Sequence, residues 1–216
     1  NVAVGSSALG GNTTASNNTA IGYNTLGACT TGTSNTAIGT IALDAITTSS
    51  NNTALGHESL TNATSGAGNT ALGKSTMTAT VTGSNNVGVG YAALTAITSA
   101  SNVVSVGHNA LGANTTGGNN TAVGTNALDA NTSGVQNTAV GMDALGANTT
   151  AAGNTAFGYR AGMTNITGTK LTAIGESCLR LSTGNNNTGL GTGAGEVCTG
   201  SANVWIGKQA GVTATT

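Results

Sequence analysis

Residues 18–26 read Asn-Thr-Ala-Ile-Gly-Tyr-Asn-Thr-Leu, and residues 120–128 read Asn-Thr-Ala-Val-Gly-Thr-Asn-Ala-Leu. Similar segments recur along the whole chain, each centred on one glycine that we call the repeat glycine. The first ten intervals between repeat glycines are 17 residues, and the last two are 16 residues. A fixed period of this length indicates a repeat architecture rather than a conventional globular core. The repeat glycines are Gly5, Gly22, Gly39, Gly56, Gly73, Gly90, Gly107, Gly124, Gly141, Gly158, Gly175, Gly191 and Gly207.

Aligning the segments on the repeat glycine places similar residues in columns. The residue before the glycine is apolar, and the fourth residue after it is mostly Leu. Asn dominates four positions before the glycine, and Thr recurs three before and eight after it. Since large apolar side chains gain most from burial, we predict that the two apolar columns form the core. Its representatives are Ile21, Ile38, Leu55, Leu72 and Val123 from the first column, and Leu26, Leu43, Leu111, Leu128 and Leu145 from the second.

The period also decides between helices and strands. Seventeen residues are too few for a helical hairpin, and Gly and β-branched residues are poor helix formers. Short extended segments on both sides of the glycine, joined by Asn, Ser, Thr and Gly turns, fit better. We predict one all-β domain over residues 1–216, a parallel β-solenoid of thirteen coils that is roughly 60 Å long at about 4.8 Å per coil. The predicted turn glycines include Gly22, Gly39, Gly56, Gly73, Gly90, Gly107, Gly124, Gly141, Gly158 and Gly175.

Composition excludes several classes of protein. Charged residues make up 5% of the chain, aromatic residues 2%, and the formal net charge is −1. Five Lys and Arg residues over 216 positions cannot neutralise a run of phosphates, so nucleic acid is not expected as a partner. No apolar run approaches the roughly 20 residues of a membrane-spanning helix, so no membrane insertion is expected.

The segments 18–26, 35–43, 120–128, 137–145 and 154–161 carry a resemblance to known repeats. They are similar to the head repeats of trimeric autotransporter adhesins and to repeats of phage tail fibres. The resemblance implies left-handed parallel β-rolls of which three pack side by side, on a cell or virion surface, binding a host receptor or glycan. The 17-residue period is longer than the adhesin-head repeat. No coiled-coil stalk, membrane anchor or receptor-binding tip is expected within these 216 residues.

No catalytic, cofactor or metal site is predicted. His57 and His108 are three coils apart, on the order of 14 Å, which is too far to share a zinc ion. The glycines of residues 189–195 follow the repeat phase and lack the βαβ context of a phosphate-binding loop. Cys29, Cys178 and Cys198 are expected as free thiols, and an enzymatic role is not expected.

Three features leave alternatives open. Asn12, Asn114, Asn131, Asn148 and Asn165 begin glycosylation acceptor sequences, which would line one outer ridge with sugar, although Asn and Thr are also ordinary turn residues. Tyr23, Tyr91 and Tyr159 follow a repeat glycine at four-coil intervals, which indicates a duplication in preference to a ligand-binding ridge. Trp205 occupies a column of small residues, which predicts a contact at the end of the array or with another subunit.

These features predict a structural or adhesive element of an extracellular fibre. Such an element is an adhesin head or shaft, a tail fibre, or a filament subunit. Because the interior of so short a coil is thin, we expect self-association as a homotrimer or as an end-to-end filament. The alternative that the array is one portion of a longer fibre stays open. The alternative function is an ice- or surface-binding solenoid that uses its Thr and Asn columns.

Overall fold

A computed structural model describes residues 1–212 and confirms an all-β parallel solenoid with a 17-residue repeat. Each coil contributes one three-residue strand immediately before its repeat glycine. The strands are β1 (Val2–Val4), β2 (Thr19–Ile21), β3 (Thr36–Ile38), β4 (Thr53–Leu55), β5 (Thr70–Leu72), β6 (Val87–Val89), β7 (Val104–Val106), β8 (Thr121–Val123), β9 (Thr138–Val140), β10 (Thr155–Phe157), β11 (Thr172–Ile174), β12 (Leu181–Ser182), β13 (Thr188–Leu190), β14 (Val197–Cys198) and β15 (Val204–Ile206). Within residues 1–212, no helix is long and apolar enough to cross a membrane.

The strands stack strictly in sequence order. A 13-stranded sheet contains β1 to β11, then β13 and β15, while β12 and β14 form a separate pair in the two 16-residue coils. Every pair in the large sheet is parallel and joins equivalent positions, as when Val123 of β8 lies opposite Val140 of β9. The repeat period therefore becomes a physical register in which each residue lies beside its counterparts in the adjacent coils.

The interior contains two columns of apolar side chains. The Leu column, four residues after the repeat glycine, is fully buried at Leu26, Leu43, Leu111, Leu128 and Leu145. The second is the inner Ala column, two residues before the glycine, which is fully buried at Ala20, Ala37, Ala122 and Ala139. The two columns face each other, because a methyl group added at Gly88, in the Ala column, would lie 3.0 Å from Met77 Cε and 3.6 Å from Leu94 Cδ1.

The predicted core position of the other apolar column is wrong. The residue before the repeat glycine points outward, and we call this set the outer aliphatic column. Within it Ile21, Leu55, Leu72 and Val123 are 38, 43, 41 and 36% exposed, and Ile38 is partly exposed. Neighbouring residues of a strand point to opposite faces, and opposite a Leu side chain the interior leaves room only for a small residue such as Ala or Ser. The small residue therefore points inward and the large one faces solvent.

The segment after the glycine is a tight turn and not the extended segment that we predicted. The second and fourth residues after the glycine have left-handed backbone conformations, with φ of 54° at Asn126 and 53° at Leu128. Such conformations are uncommon outside glycine, and their recurrence in nearly every coil shows that the turn depends on them. This turn directs the Leu side chain into the solenoid.

The Asn column, four residues before the repeat glycine, is internal. Asn120 Oδ1 accepts a 2.9 Å hydrogen bond from the backbone N–H of Asn137 in the next coil, and Asn120 Nδ2 donates to the Gly134 carbonyl at 2.7 Å. The pattern recurs along the array and is interrupted at Val103 and Leu171, which lack the amide. Because buried polar groups are costly without partners, these amides tie each coil to the next.

Candidate functional site

The outer face of the 13-stranded sheet is the most extended feature of the surface. It consists of the outer aliphatic column and, three residues before the repeat glycine, the outer Thr column. Apolar exposure continues to the C-terminal strands, with Phe157 56%, Leu190 46% and Ile206 69% exposed. Because the strands are in register, both columns run along the whole sheet, and the face measures roughly 60 Å by 10 Å.

The hydroxyls of the outer Thr column are available to a partner. Within residues 1–212, no side-chain hydrogen bond involves Thr19, Thr36, Thr53, Thr70, Thr121, Thr138, Thr155, Thr172 or Thr188. The threonines eight residues after the repeat glycine behave differently, since Thr115 donates its hydroxyl to the Thr132 carbonyl at 3.0 Å. Thr132 makes the same bond to Thr149 at 3.2 Å. One Thr column therefore stabilises the stack and the other is presented to solvent.

A third exposed column follows the repeat glycine by one residue, and we call it the ridge. All thirteen of its residues are exposed, and they include the three Tyr and both His residues of the chain. The rings of Tyr91 and His108 stack with centroids 5.5 Å apart and an interplanar angle of 11°. The ridge residues are Ser6, Tyr23, Thr40, His57, Lys74, Tyr91, His108, Thr125, Met142, Tyr159, Glu176, Thr192 and Lys208.

Trp205 packs within its own chain. It replaces an inner Ala residue in β15 and contacts the hydrophobic core. Its indole fills space left by two glycines of the Leu column, because a Cβ on Gly195 would lie 2.6 Å from the ring and a Cβ on Gly211 would overlap it. The bulky inward residue thus compensates for the missing leucines, while the predicted subunit contact of Trp205 stays a prediction.

The acceptor sequences do not form an outer ridge of glycosylation sites. Asn114, Asn131, Asn148 and Asn165 are fully buried, and Asn12 is partly buried. Asn131 Nδ2 donates to Asn114 Oδ1 at 2.8 Å, and Asn148 Nδ2 donates to Asn131 Oδ1 at 3.0 Å. These amides form a second internal ladder, and an attached sugar would require its coil to open.

Burial affects several of the remaining reactive side chains. Cys29, Cys178 and Cys198 are free and buried, and burial raises the pKa of the Cys178 thiol to about 11. Burial also raises the pKa of the Asp44 and Asp129 carboxyl groups. Among residues 1–212 no three His, Cys, Asp or Glu side chains lie together as metal ligands would, and this part of the chain has no pocket.

Comparison with known proteins found no matching family model, no matching curated protein and no matching solved structure. The candidate surfaces are therefore defined by geometry alone. They are the outer face, formed by two columns of the sheet, and the ridge beside it. Sequence reasoning missed the outer face because it assigned these apolar residues to the core. The ridge did leave a signal in the sequence, since its three Tyr residues recur at four-coil intervals.

Proposed function

We propose that this chain is a structural and adhesive element of an extracellular fibre, and that it self-associates laterally through the outer face. The observation that supports this proposal is the continuous column of half-exposed aliphatic side chains along a 13-stranded sheet. The role is non-enzymatic. The resemblance of the repeats to adhesin heads and tail fibres supports a place on a cell or virion surface.

The size of the outer face supports a protein interface. The whole face, Thr column included, has an area on the order of 600 Å², and its aliphatic column falls within the size range of the apolar patches that monomeric proteins expose. Standard protein interfaces bury about 800 Å² per partner, and the residues that flank the face would supply the difference. Burial of aliphatic side chains would drive association, and the free Thr hydroxyls would provide hydrogen bonds across the interface.

A closed lateral assembly is favoured over an end-to-end filament. Lateral packing covers the outer face of every coil, whereas an end-to-end contact covers only one coil at each end and leaves the face in water. The repeats resemble those of proteins in which three chains pack side by side, so we propose a homotrimer. Its stiffness would come from in-register hydrogen bonding between successive coils.

Charge placed on the outer face should dissociate this assembly. In the double variant Val123→Asp and Val140→Asp, two carboxylates per chain would lose solvation on association, at a cost of several kcal/mol. We expect sedimentation velocity to give three times the chain mass of 20.5 kDa for the wild type and a single chain mass for the variant. Far-UV circular dichroism should remain unchanged, because both side chains point away from the core.

The matched control is Ser133→Asp with Thr150→Asp, which places the same charges on the same two coils at another exposed column. This control should retain the assembly. A wild-type protein that sediments as a monomer at micromolar concentration would contradict lateral association. Equal dissociation of the two double variants would show that net charge, and not the outer face, controls assembly.

Ice or crystal-surface binding is the second candidate, and the unpaired hydroxyls of the outer Thr column favour it. These hydroxyls form a row with a spacing of about 4.8 Å beside a row of aliphatic groups. The Asn columns cannot take part as expected, because their amides are buried. Val87 and Val104 also interrupt the Thr column.

If this second function is correct, the wild-type protein should produce thermal hysteresis and inhibit ice recrystallisation at micromolar concentration. Replacing Thr138 and Thr155 with Asp should remove both effects. A trimer closed over the outer face would hide the hydroxyls, so activity would be confined to the monomer. Absence of hysteresis in a sample that sediments as a monomer would eliminate this candidate.

A further inference from the structure

We propose that Asn17, Asn51, Asn119 and Asn186 are acceptor sites for N-linked sugar on the folded chain. We call these four residues the acceptor row. Each begins an Asn-Asn-Thr sequence five residues before a repeat glycine, and sequences of the form Asn-x-Thr are the acceptors of asparagine glycosylation. The inference goes beyond the proposed function and does not depend on lateral association.

The acceptor row differs in exposure from the acceptor sequences of the internal ladder. All four of its asparagines are exposed, whereas Asn114, Asn131 and Asn148 are fully buried. Within residues 1–212, no side chain of the acceptor row makes a hydrogen bond. The amide nitrogen that would bind the sugar is therefore free without the opening of any coil.

The strand geometry places the two recognised side chains on the same side of the backbone. Asn51 and Thr53 are exposed, while Asn52 between them is buried. The backbone N–H of Asn51 donates to the Thr33 carbonyl at 3.1 Å, so the backbone is fixed although the side chain is free. The Thr hydroxyls of these sequences are also unpaired, as described above for the outer Thr column. A transferase can therefore contact the amide and the hydroxyl together from the solvent.

The backbone conformation explains why asparagine is common at this position, but not which asparagines can react. The row has left-handed φ angles between 57° and 63°, which Asn adopts more readily than most residues do. Asn85 and Asn102 lie in the same column, are also exposed, and have φ of 60° and 59°. Val87 and Val104 stand where their acceptor sequences would need Thr. These two asparagines are therefore natural controls that lack only the hydroxyl.

The second substrate of the transfer is a glycosyl diphosphate. The Asn Nδ2 forms a bond to the anomeric carbon of the sugar, the bond from that carbon to the diphosphate oxygen breaks, and the diphosphate leaves with the electron pair. The amide gives one proton to a base of the transferase, and nothing is oxidised or reduced. Asn17 and Asn51, the closest pair in the row, are two coils apart, about 10 Å, so two sugars never share one coil.

The test is incubation of the folded chain with a soluble asparagine glycosyltransferase and UDP-glucose, followed by mass mapping of the peptides. We expect hexose on the acceptor row and at least about a hundredfold less on Asn114 and Asn148. These two can react only after their coil opens, which breaks buried hydrogen bonds. Proteolytic peptides of the same chain, in which the coils are not formed, should be modified at both sets of asparagines.

Two isosteric substitutions test the role of the hydroxyl. Thr53→Val should lower the hexose on Asn51 at least about a hundredfold, because a site built to bind a hydroxyl rejects an analogue without it. Val87→Thr should add hexose at Asn85, which the wild-type chain leaves unmodified. Circular dichroism should show both variants folded, since Thr and Val both occur naturally in this column.

The same reaction on the double variant Val123→Asp and Val140→Asp, whose outer face should stay uncovered, separates this inference from lateral association. Transfer to that variant and not to the wild type would show that the assembly covers the acceptor row and would support the four sites. Three outcomes would overturn the inference: no hexose on the row in either protein, equal modification of the buried set in the folded chain, or no gain at Asn85 in Val87→Thr.

Discussion

Replacing Gly124 with alanine should cost the solenoid at least about 3 kcal/mol of unfolding free energy, a loss in the range attributed to strained backbone and steric overlap. Gly124 has a φ of +138° and lies in the middle of the array. A Cβ at this position would lie 2.6 Å from both the carbonyl carbon and the oxygen of Gly141 in the next coil. Backbone atoms cannot move aside without separating the two coils, so the substitution acts on the stacking itself.

Gly207→Ala provides the matched control. Gly207 belongs to the same column and has a φ of +115°, yet no atom of residues 1–212 lies within 4 Å of a Cβ built there. We expect the free energy of unfolding of this variant to fall only by the cost of backbone strain, about 1–3 kcal/mol. Urea denaturation followed by circular dichroism at 218 nm, a wavelength chosen for β-structure, measures the difference. Equal losses in the two variants would show that contact with the next coil is unimportant.

Replacing Asn137 with leucine is the second substitution with a large expected effect. Asn137 Oδ1 accepts a 3.0 Å hydrogen bond from the Asn154 backbone N–H, and Asn137 Nδ2 donates to the Ala151 carbonyl at 2.8 Å. Leucine would leave the Asn154 N–H and the Ala151 carbonyl without these bonds, which should lower the free energy of unfolding by about 1–3 kcal/mol for each group. It would also need space in an interior that Leu128 already fills. We expect a total loss of about 4 kcal/mol or more.

The chain itself shows how such a leucine can be accommodated. Leu171 occupies the Asn column, and the preceding coil has Gly162 in the Leu column, where a Cβ would lie 2.9 Å from Leu171 Cδ2. Leu128 lies nine residues before Asn137, as Gly162 lies nine residues before Leu171, so Leu128 is the residue that Asn137→Leu would meet. The double variant Asn137→Leu and Leu128→Gly should therefore be more stable than the sum of the single losses predicts, with a coupling of about 1 kcal/mol or more.

Urea denaturation of the two single variants and the double variant gives this coupling directly. Glycine at position 128 also relieves the left-handed φ of 53° that leucine adopts there, so the Leu128→Gly variant alone reports that contribution. Strict additivity of the two single losses would contradict the exchange of volume between columns. The same exchange of side-chain volume between columns explains how the large Trp205 ring fits beside Gly195 and Gly211.

Sequence reasoning could not find the outer face, because the inward and outward columns of a strand both recur every 17 residues. The period therefore does not show which column faces solvent. In Ala-Ile and Ala-Val pairs, hydrophobicity alone favours burying the larger residue, and that preference placed Ile21 and Val123 in the core. Their exposure depends on the width of the coil, which the Leu column on the opposite side sets. Asn114 and Asn131 were likewise assigned to turns, and Asn114 Nδ2 does donate to the Gly117 carbonyl within its own turn. Their place in an internal ladder depends on the bond from Asn131 Nδ2 to Asn114 Oδ1 in the adjacent coil.

The sequence by itself determined the period, the number of coils, the parallel register and the repeat glycine, because these follow from the recurrence of residue types along the chain. The tertiary structure decided which apolar column faces solvent, which amides are internal and which Thr hydroxyls are unpaired. These properties depend on the space inside one coil and on bonds to the coils above and below. The burial and the hydrogen bonds of each residue are therefore set only when the adjacent coils are stacked on it.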